Sequence, residues 1–362
     1  MTKEKRVSGQ VATKNGPEYL RVTFTDVIES VEPISADANL PRLSAGLVET
    51  HTHGIHGLEV GASPNSMLSM ASNLASYGVT RSIQSLVSSS MEVISQVLGA
   101  AEPLLGEQGF QGIHLEGPYI ADERCGAHDP NELRDLSDSE LKRILSYKSL
   151  RSITIAPERV SLSQVQQLSA SGIRVAIGHS NASFETTNNY FKSGAALLTH
   201  AFNAMPQIAS REPGPVVSAL ESKKWIELIA DGHHVSPGLC AQLASWAPSA
   251  LILVSDSMAA AGFNDGSYKL GQIQVFVNEG VARRADNGLL AGSTLTLNKA
   301  IENMIRFGVS PHIAFNAATT NPSNCYGLDN ANISLGSAAS LVTWDNSMAP
   351  IEVYRDGIKI SS

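Results

Sequence analysis

Apolar positions change their rhythm along this chain. From about residue 5 to 43, polar and apolar residues alternate, with Val22, Phe24 and Val27 on the apolar side and a break at Asn15-Gly16-Pro17. A period of two is that of a half-buried strand. The same rhythm returns at Ser340-Leu341-Val342-Thr343-Trp344 and from Ile351 to Ile360 around Asp356-Gly357. Between these ends the pattern differs. Short β-branched or apolar runs occur at Leu47 to His53, Ser82 to Val87, Gly112 to Glu116 and Ile153 to Ala156. They continue at Val175 to His179, Leu197 to His200, Ile226 to Ala230 and Leu251 to Val254. Helical spacing intervenes, as at Met67 to Tyr77, Met91 to Leu105, Leu136 to Leu145 and Thr294 to Phe307. Ser137-Asp138-Ser139-Glu140 has the form of a capping box. Eight β-then-α units predict an α/β fold, a (β/α)8 TIM-like barrel. An open doubly wound sheet is the competing topology, but no glycine-rich fingerprint follows the first strand. The expected organisation is a barrel over 45–334 and a small β-sandwich domain built from 1–44 and 335–362.

Barrels place their chemistry at the C-terminal ends of the strands. Here those ends are unusually polar: Glu49-Thr50-His51-Thr52-His53-Gly54, His114-Leu115-Glu116, Gly178-His179-Ser180, Thr199-His200, Asp231-Gly232-His233-His234 and Ser255-Asp256-Ser257. His51 and His53 are two apart, which on a strand puts both rings on one face. Glu116, His179 and His200 would join them from strands three, five and six. Imidazole nitrogen with carboxylate oxygen suits a divalent metal, zinc first, with iron, manganese or cobalt as alternatives. A lone histidine in a strand is more often a hydrogen-bonded structural residue. Five candidate ligands at four matching strand ends change that balance. Glu116 alone could anchor a histidine, and Asp256 alone could cap a helix.

Composition narrows the partners. Hydrophobic residues make up 43% and charged residues 17% of 362, which suits a large enclosed core. The net charge is −8 with no basic stripe, so nucleic acid is not an expected partner. Cys125, Cys240 and Cys325 are too few and too scattered for a disulfide framework. The polar start, Met1-Thr2-Lys3-Glu4-Lys5-Arg6, has no secretory h-region, and no apolar stretch is long enough for a bilayer. A cytoplasmic protein with no membrane contact is expected.

The chain resembles the N-acetylglucosamine-6-phosphate deacetylase family of the amidohydrolase superfamily. The likeness is carried by His51-Thr52-His53-Gly54, His114-Leu115-Glu116-Gly117-Pro118, Gly178-His179-Ser180-Asn181-Ala182 and Thr199-His200-Ala201-Phe202-Asn203-Ala204-Met205-Pro206. It continues in Arg211-Glu212-Pro213-Gly214, Ala230-Asp231-Gly232-His233-His234-Val235, Val254-Ser255-Asp256 and Leu290-Ala291-Gly292-Ser293. The resemblance implies that Glu116, His179 and His200 hold the main metal, and that His51 and His53 help form a second site, giving one or two ions per subunit. It implies Asp256 as general base and then acid, and His128 as the residue that polarises the substrate carbonyl. It implies Asn203, Ala204, Arg211 and His234 as contacts for sugar and phosphate. It also implies a homodimer, because part of the family's phosphate site comes from the partner subunit.

The sequence departs from the family where Glu49 stands in place of a common Asp, and where His233 beside His234 leaves two candidates for one role. The loop Ala121 to Ala127, with Cys125, is its least family-like stretch near the site. A galacto-configured substrate is an alternative that the sequence does not separate. A cyclic-amide hydrolase usually carries a bridging modified lysine from strand four, and Ile153-Thr154-Ile155-Ala156-Pro157-Glu158 offers none. A non-catalytic scaffold would be expected to have lost ligands or the base, and every such position is filled.

Overall fold

The structure, a computed structural model, describes residues 3–61, 63–329 and 332–361. Met1 and Thr2, the first residues of the polar start, lie outside the described residues. Eight parallel strands form one sheet in chain order: Leu47–Glu49, Val79–Leu86, Phe110–Glu116, Leu150–Ile155, Arg174–Ile177, Leu197–Leu198, Trp225–Ile229 and Leu251–Val254. Helices connect most of them, so the chain is a (β/α)8 barrel. Its strands read as apolar runs because both faces are covered: Leu251–Val254 is buried at all four positions.

The first and eighth strands share no ladder. The cylinder closes just beyond their ends, where Asp256 N–H donates to His51 O at 2.9 Å and His53 N–H to Ser257 O at 2.8 Å. The buried Glu49 carboxylate spans the same seam, accepting from His51 N–H at 3.1 Å and Ser255 N–H at 3.2 Å.

Three strands stop two or more residues earlier than their sequences suggest. The expected runs to His53, His179 and His200 end at Glu49, Ile177 and Leu198. The cause at the last two is backbone conformation. His179 has φ 48° and His200 φ 25°, outside the extended region, and Asp256 at the mouth of the eighth strand has φ 48°. Left-handed backbone costs a side-chain-bearing residue roughly 1 kcal/mol, so three such residues at one rim mark a site the fold holds under strain.

The helix expected over Leu136 to Leu145 is Asp138–Ile144. Ser137 caps it by accepting from Glu140 N–H, but the Glu140 carboxylate does not return to the Ser137 amide; it pairs with Arg134 Nε at 2.8 Å. A salt bridge has replaced half of the capping box. The helix expected over Met91 to Leu105 ends at Ala101 and continues as one tighter turn, Glu102–Leu104, around Pro103.

The segments flanking the barrel share one seven-stranded sheet. Its order is Ile358–Ser361, Pro350–Arg355, Leu341–Trp344, Arg42–Ala45, Lys5–Thr13, Gly16–Phe24 and Ile28–Pro33. Phe24, Ile28, Leu43 and Leu341 form its own core. Trp344 is fully buried against the barrel and donates Nε1–H to Ser44 Oγ at 2.8 Å.

A third sheet was not expected. Gly266–Leu270, Ile273–Asn278 and Val281–Arg284 form an antiparallel three-stranded insert after the eighth strand. It packs through Leu270, Val275, Val277 and Ala282 against Met258 and Ala291. No helix among the described residues is long and apolar enough to cross a membrane.

Candidate active site

The strand ends converge. Glu116 Oε1 lies 3.2 Å from His179 Nε2 and 2.9 Å from His200 Nε2, and those two nitrogens are 3.0 Å apart. Glu116 Oε2 lies 3.0 Å from His53 Nε2 and 3.3 Å from His128 Nε2. Asp256 Oδ1 is 3.2 Å from His53 Nε2 and 3.6 Å from His51 Nε2. His51 and His53 face each other with ring centroids 5.3 Å apart, although the ladder has already ended. All seven side chains are buried.

The outer ring nitrogens separate metal-type histidines from another kind. His51 Nδ1 meets Glu227 Oε2 at 3.1 Å, His53 Nδ1 meets Ser85 O at 3.0 Å, and His179 Nδ1 meets Arg124 O at 2.7 Å. Each partner is an acceptor, so in the neutral ring Nδ1 carries the proton and Nε2 presents its lone pair to the centre. His128 is reversed. Its Nδ1 accepts the Ser88 backbone N–H at 3.2 Å, so Nε2 carries the proton. Burial pushes this ring down to about pKa 4, so it is a neutral hydrogen-bond donor.

The donor set fits a divalent ion. Buried His51 Nε2 makes no hydrogen bond, and its carboxylate neighbours, Glu116 Oε1 and Asp256 Oδ1, stand off at 3.5 and 3.6 Å. Two imidazole nitrogens and a carboxylate oxygen lie within 2.9–3.2 Å of one another, a cluster that suits a shared cation. A tetrahedral ion with bonds of about 2.1 Å separates its ligands by about 3.4 Å, slightly more than these contacts. The carboxylates also favour positive charge on the neighbouring rings. Burial works against charging His53, but Asp256 and Glu116 overcome it and raise it to about pKa 9; His51 is likewise held well above its usual value by Glu116 and Asp256 against burial. Burial would raise Asp256, but His51 and His53 bring it down to about pKa 2.

A cavity of 470 Å³ opens from this centre. Asn203, Ala204 and His234 line it, as do Arg124, Arg283, Leu290 and Gly292. Asn203 Nδ2 donates to His200 O at 3.2 Å, and Ala204 O accepts from Ser180 N–H at 3.1 Å, which ties this loop to one candidate ligand, His200, and to the residue that follows another, His179. His234 Nδ1 lies 2.7 Å from Asp231 Oδ2. Burial opposes charge on His234, and the bond to Asp231 outweighs it and raises the pKa. His233 is exposed and does not line the cavity. Arg211 is exposed as well and stands away from this chain's own cavity. Half-buried Cys125 is a free thiol that does not line it either.

Several contributors escape a motif-based reading. Glu227 holds His51, and its sequence signal is a lone charge inside Trp225-Ile226-Glu227-Leu228-Ile229. Glu158 accepts from Ser180 Oγ at 2.8 Å and Asn181 N–H at 2.7 Å, steadying the loop after His179. His114 is structural: it bridges Ser85 Oγ at 2.9 Å and Thr154 Oγ1 at 2.8 Å, and burial keeps its pKa well below the usual value. Arg283 and Arg124 had no role in the sequence reading.

A family model for amidohydrolases matches residues 42–359. The chain belongs to the amidohydrolase family. Within the family it is similar to the N-acetylgalactosamine-6-phosphate deacetylase of Escherichia coli O157:H7, 35% identical over 91% of this chain and 92% of that one. It is also 34% identical to the N-acetylglucosamine-6-phosphate deacetylase of Vibrio furnissii, over 83% and 78% of the two chains. Among solved amidohydrolases, a mutant N-acetyl-D-glucosamine-6-phosphate deacetylase from Mycobacterium smegmatis, in complex with N-acetyl-D-glucosamine-6-phosphate, superposes with a TM-score of 0.93 at 31% identity. That match covers 99% of this chain and 100% of the other. The family and the ligand cluster together imply a divalent metal.

Proposed function

We propose that this enzyme hydrolyses the acetamide of N-acetyl-D-glucosamine 6-phosphate, releasing acetate and D-glucosamine 6-phosphate. The observation that carries the reading is the opposed orientation of the histidines: three present lone pairs to a common point while His128 presents a proton. Glu116, His179 and His200 would hold the main ion, with His51 and His53 contributing to a second position. Zinc suits this mixed nitrogen and oxygen set. When bound, the ion acidifies water and polarises a carbonyl.

The chain's own groups do the rest. Asp256 is ionised and reaches the same centre, so its carboxylate takes the proton from the attacking water. His128 donates Nε2–H to the acetamide oxygen, where negative charge develops. Asp256 then passes its proton to the departing amine. Asn203, the Ala204 loop and His234 orient the sugar and its phosphate. Arg211 is exposed and does not line its own cavity, which supports a homodimer in which it reaches the partner's phosphate site. Its planar fork can bond two phosphate oxygens at once. We assign the small β domain to 1–44 and 335–362 around a barrel at 45–334. Three free cysteines suit the reducing cytoplasm.

The galacto-configured substrate is a second reading, favoured by the 35% identity to the E. coli O157:H7 enzyme. Acetate release from both N-acetylhexosamine 6-phosphates, their unphosphorylated forms and a cyclic amide tests all of these. Preferential release from the gluco phosphosugar is expected. Preference for the galacto epimer or the cyclic amide would overturn the assignment.

A further inference from the structure

Arg283 and Arg284 are neighbours in the insert strand Val281–Arg284. Arg283 lies opposite Phe276 and Arg284 opposite Val275, so their side chains leave opposite faces of the sheet. Arg284 is fully engaged. Its Nε and Nη2 meet the two Asp286 oxygens at 2.9 and 2.7 Å, and Nη1 donates to Gly126 O at 2.6 Å, fastening the insert to the loop that carries His128.

Arg283 has no ion-pair partner among the described residues. Its Nη1 donates to Gly288 O at 2.9 Å, which steadies the arm along the insert's last turn, and the side chain lines the substrate cavity. It stands near enough to His234 to oppose that ring's protonation. Two cations facing one cavity repel each other, and an anion between them removes the penalty. Asp231 already compensates His234 from behind, which leaves the Arg283 charge unanswered. Glu116 and Asp256 are taken up by histidines, and Glu123, which also lines the cavity, forms no ion pair with either Arg124 or Arg283.

We propose that Arg283 is a phosphate-binding residue supplied by the chain that owns the cavity, forming with His234 a clamp for the sugar's phosphate that does not depend on Arg211 of a second copy. The inference rests on the phosphosugar reading. A guanidinium fits the role because its fork matches two phosphate oxygens, whereas an ammonium offers charge without that geometry.

The test is steady-state kinetics of the parent, Arg283→Ala and Arg283→Lys on the phosphorylated and unphosphorylated N-acetyl sugars, with inorganic phosphate as a competing probe. Arg283→Ala is expected to lower kcat/KM for the phosphosugar by about tenfold or more, chiefly through KM, as loss of a charged hydrogen bond does. The loss on the unphosphorylated sugar should be much smaller. Arg283→Lys should fall between, and the inhibition constant of phosphate should rise in step. Equal losses on both sugars, or an unchanged phosphate inhibition constant, overturn the proposal while leaving the phosphosugar reading intact. A parent enzyme that uses both sugars equally well removes that reading and the proposal with it.

Discussion

At the floor of the cavity the polar side chains are buried, and four of the histidines are braced from behind: His51 by Glu227, His53 by Ser85, His179 by Arg124 O, His128 by Ser88. At its rim, the His234 side chain is buried against Asp231, Arg283 is exposed on an insert, and Arg211 does not line the cavity. Apart from His128, which a loop carries, the floor is built on strand ends, and the rim is built on loops and the insert. This contrast assigns different jobs to the two regions. Chemistry that needs sub-ångström placement sits on the rigid barrel, and recognition sits where loops can vary without disturbing it.

The largest expected effect comes from emptying the floor. Chelation should reduce acetate release to background, and zinc should restore it. Metal and proton compete for the same nitrogen, and in the metal-free site His53 holds its proton up to about pH 9. Reloading near neutral pH should therefore release protons, and affinity should climb as pH rises toward that value. Calorimetry in buffers of different ionisation enthalpy reads this directly; zero net proton release would contradict the proposed ligand set.

Next comes Asp256→Asn. It should retain metal by elemental analysis yet lose about 10²- to 10⁴-fold in turnover, the usual worth of a positioned acid–base group. Near-parental turnover would remove Asp256 from the mechanism. Glu227→Gln should weaken metal affinity by about 10–100-fold, as loss of an outer-shell partner does. An unchanged affinity would mean that His51 is not braced in the way its hydrogen bond suggests.

Rim effects should be smaller and selective. Arg211→Ala should raise KM for the phosphosugar by about tenfold, with little change for the unphosphorylated sugar. Identical changes on both would rule out a phosphate contact. The smallest expected effect is on pH dependence. His234 has a raised pKa, so it is cationic below that value and neutral above it. KM for the phosphosugar should therefore increase as pH rises through the raised pKa of His234, and His234→Asn should flatten the trend. A parental profile in that variant would place the titrating group elsewhere.

The two regions were also unequally legible. The eight strands show as apolar runs because a parallel barrel buries both faces of each strand. Glu116, His179, His200 and Asp256 stand out because each is a polar interruption at the end of such a run. The insert is harder to see. Val275-Phe276-Val277 is apolar at every position, yet Phe276 is 53% exposed, so the period of two is hidden. Glu227 is visible only as one charge among apolar neighbours, and its partner, His51, lies 176 residues away. Arg211 sits in a recognisable motif, yet it does not line this chain's cavity, a placement that no local pattern encodes.

The shared outer sheet has a consequence for synthesis. Arg42–Ala45 lies between Lys5–Thr13 and Leu341–Trp344, so in a nascent chain one flank of this strand stays open until residue 344 has left the ribosome. Throughout translation of the barrel, that open edge could pair with other chains. A stop codon anywhere before residue 341 would leave it permanently uncovered, and Ser44 would lose Trp344 as its donor.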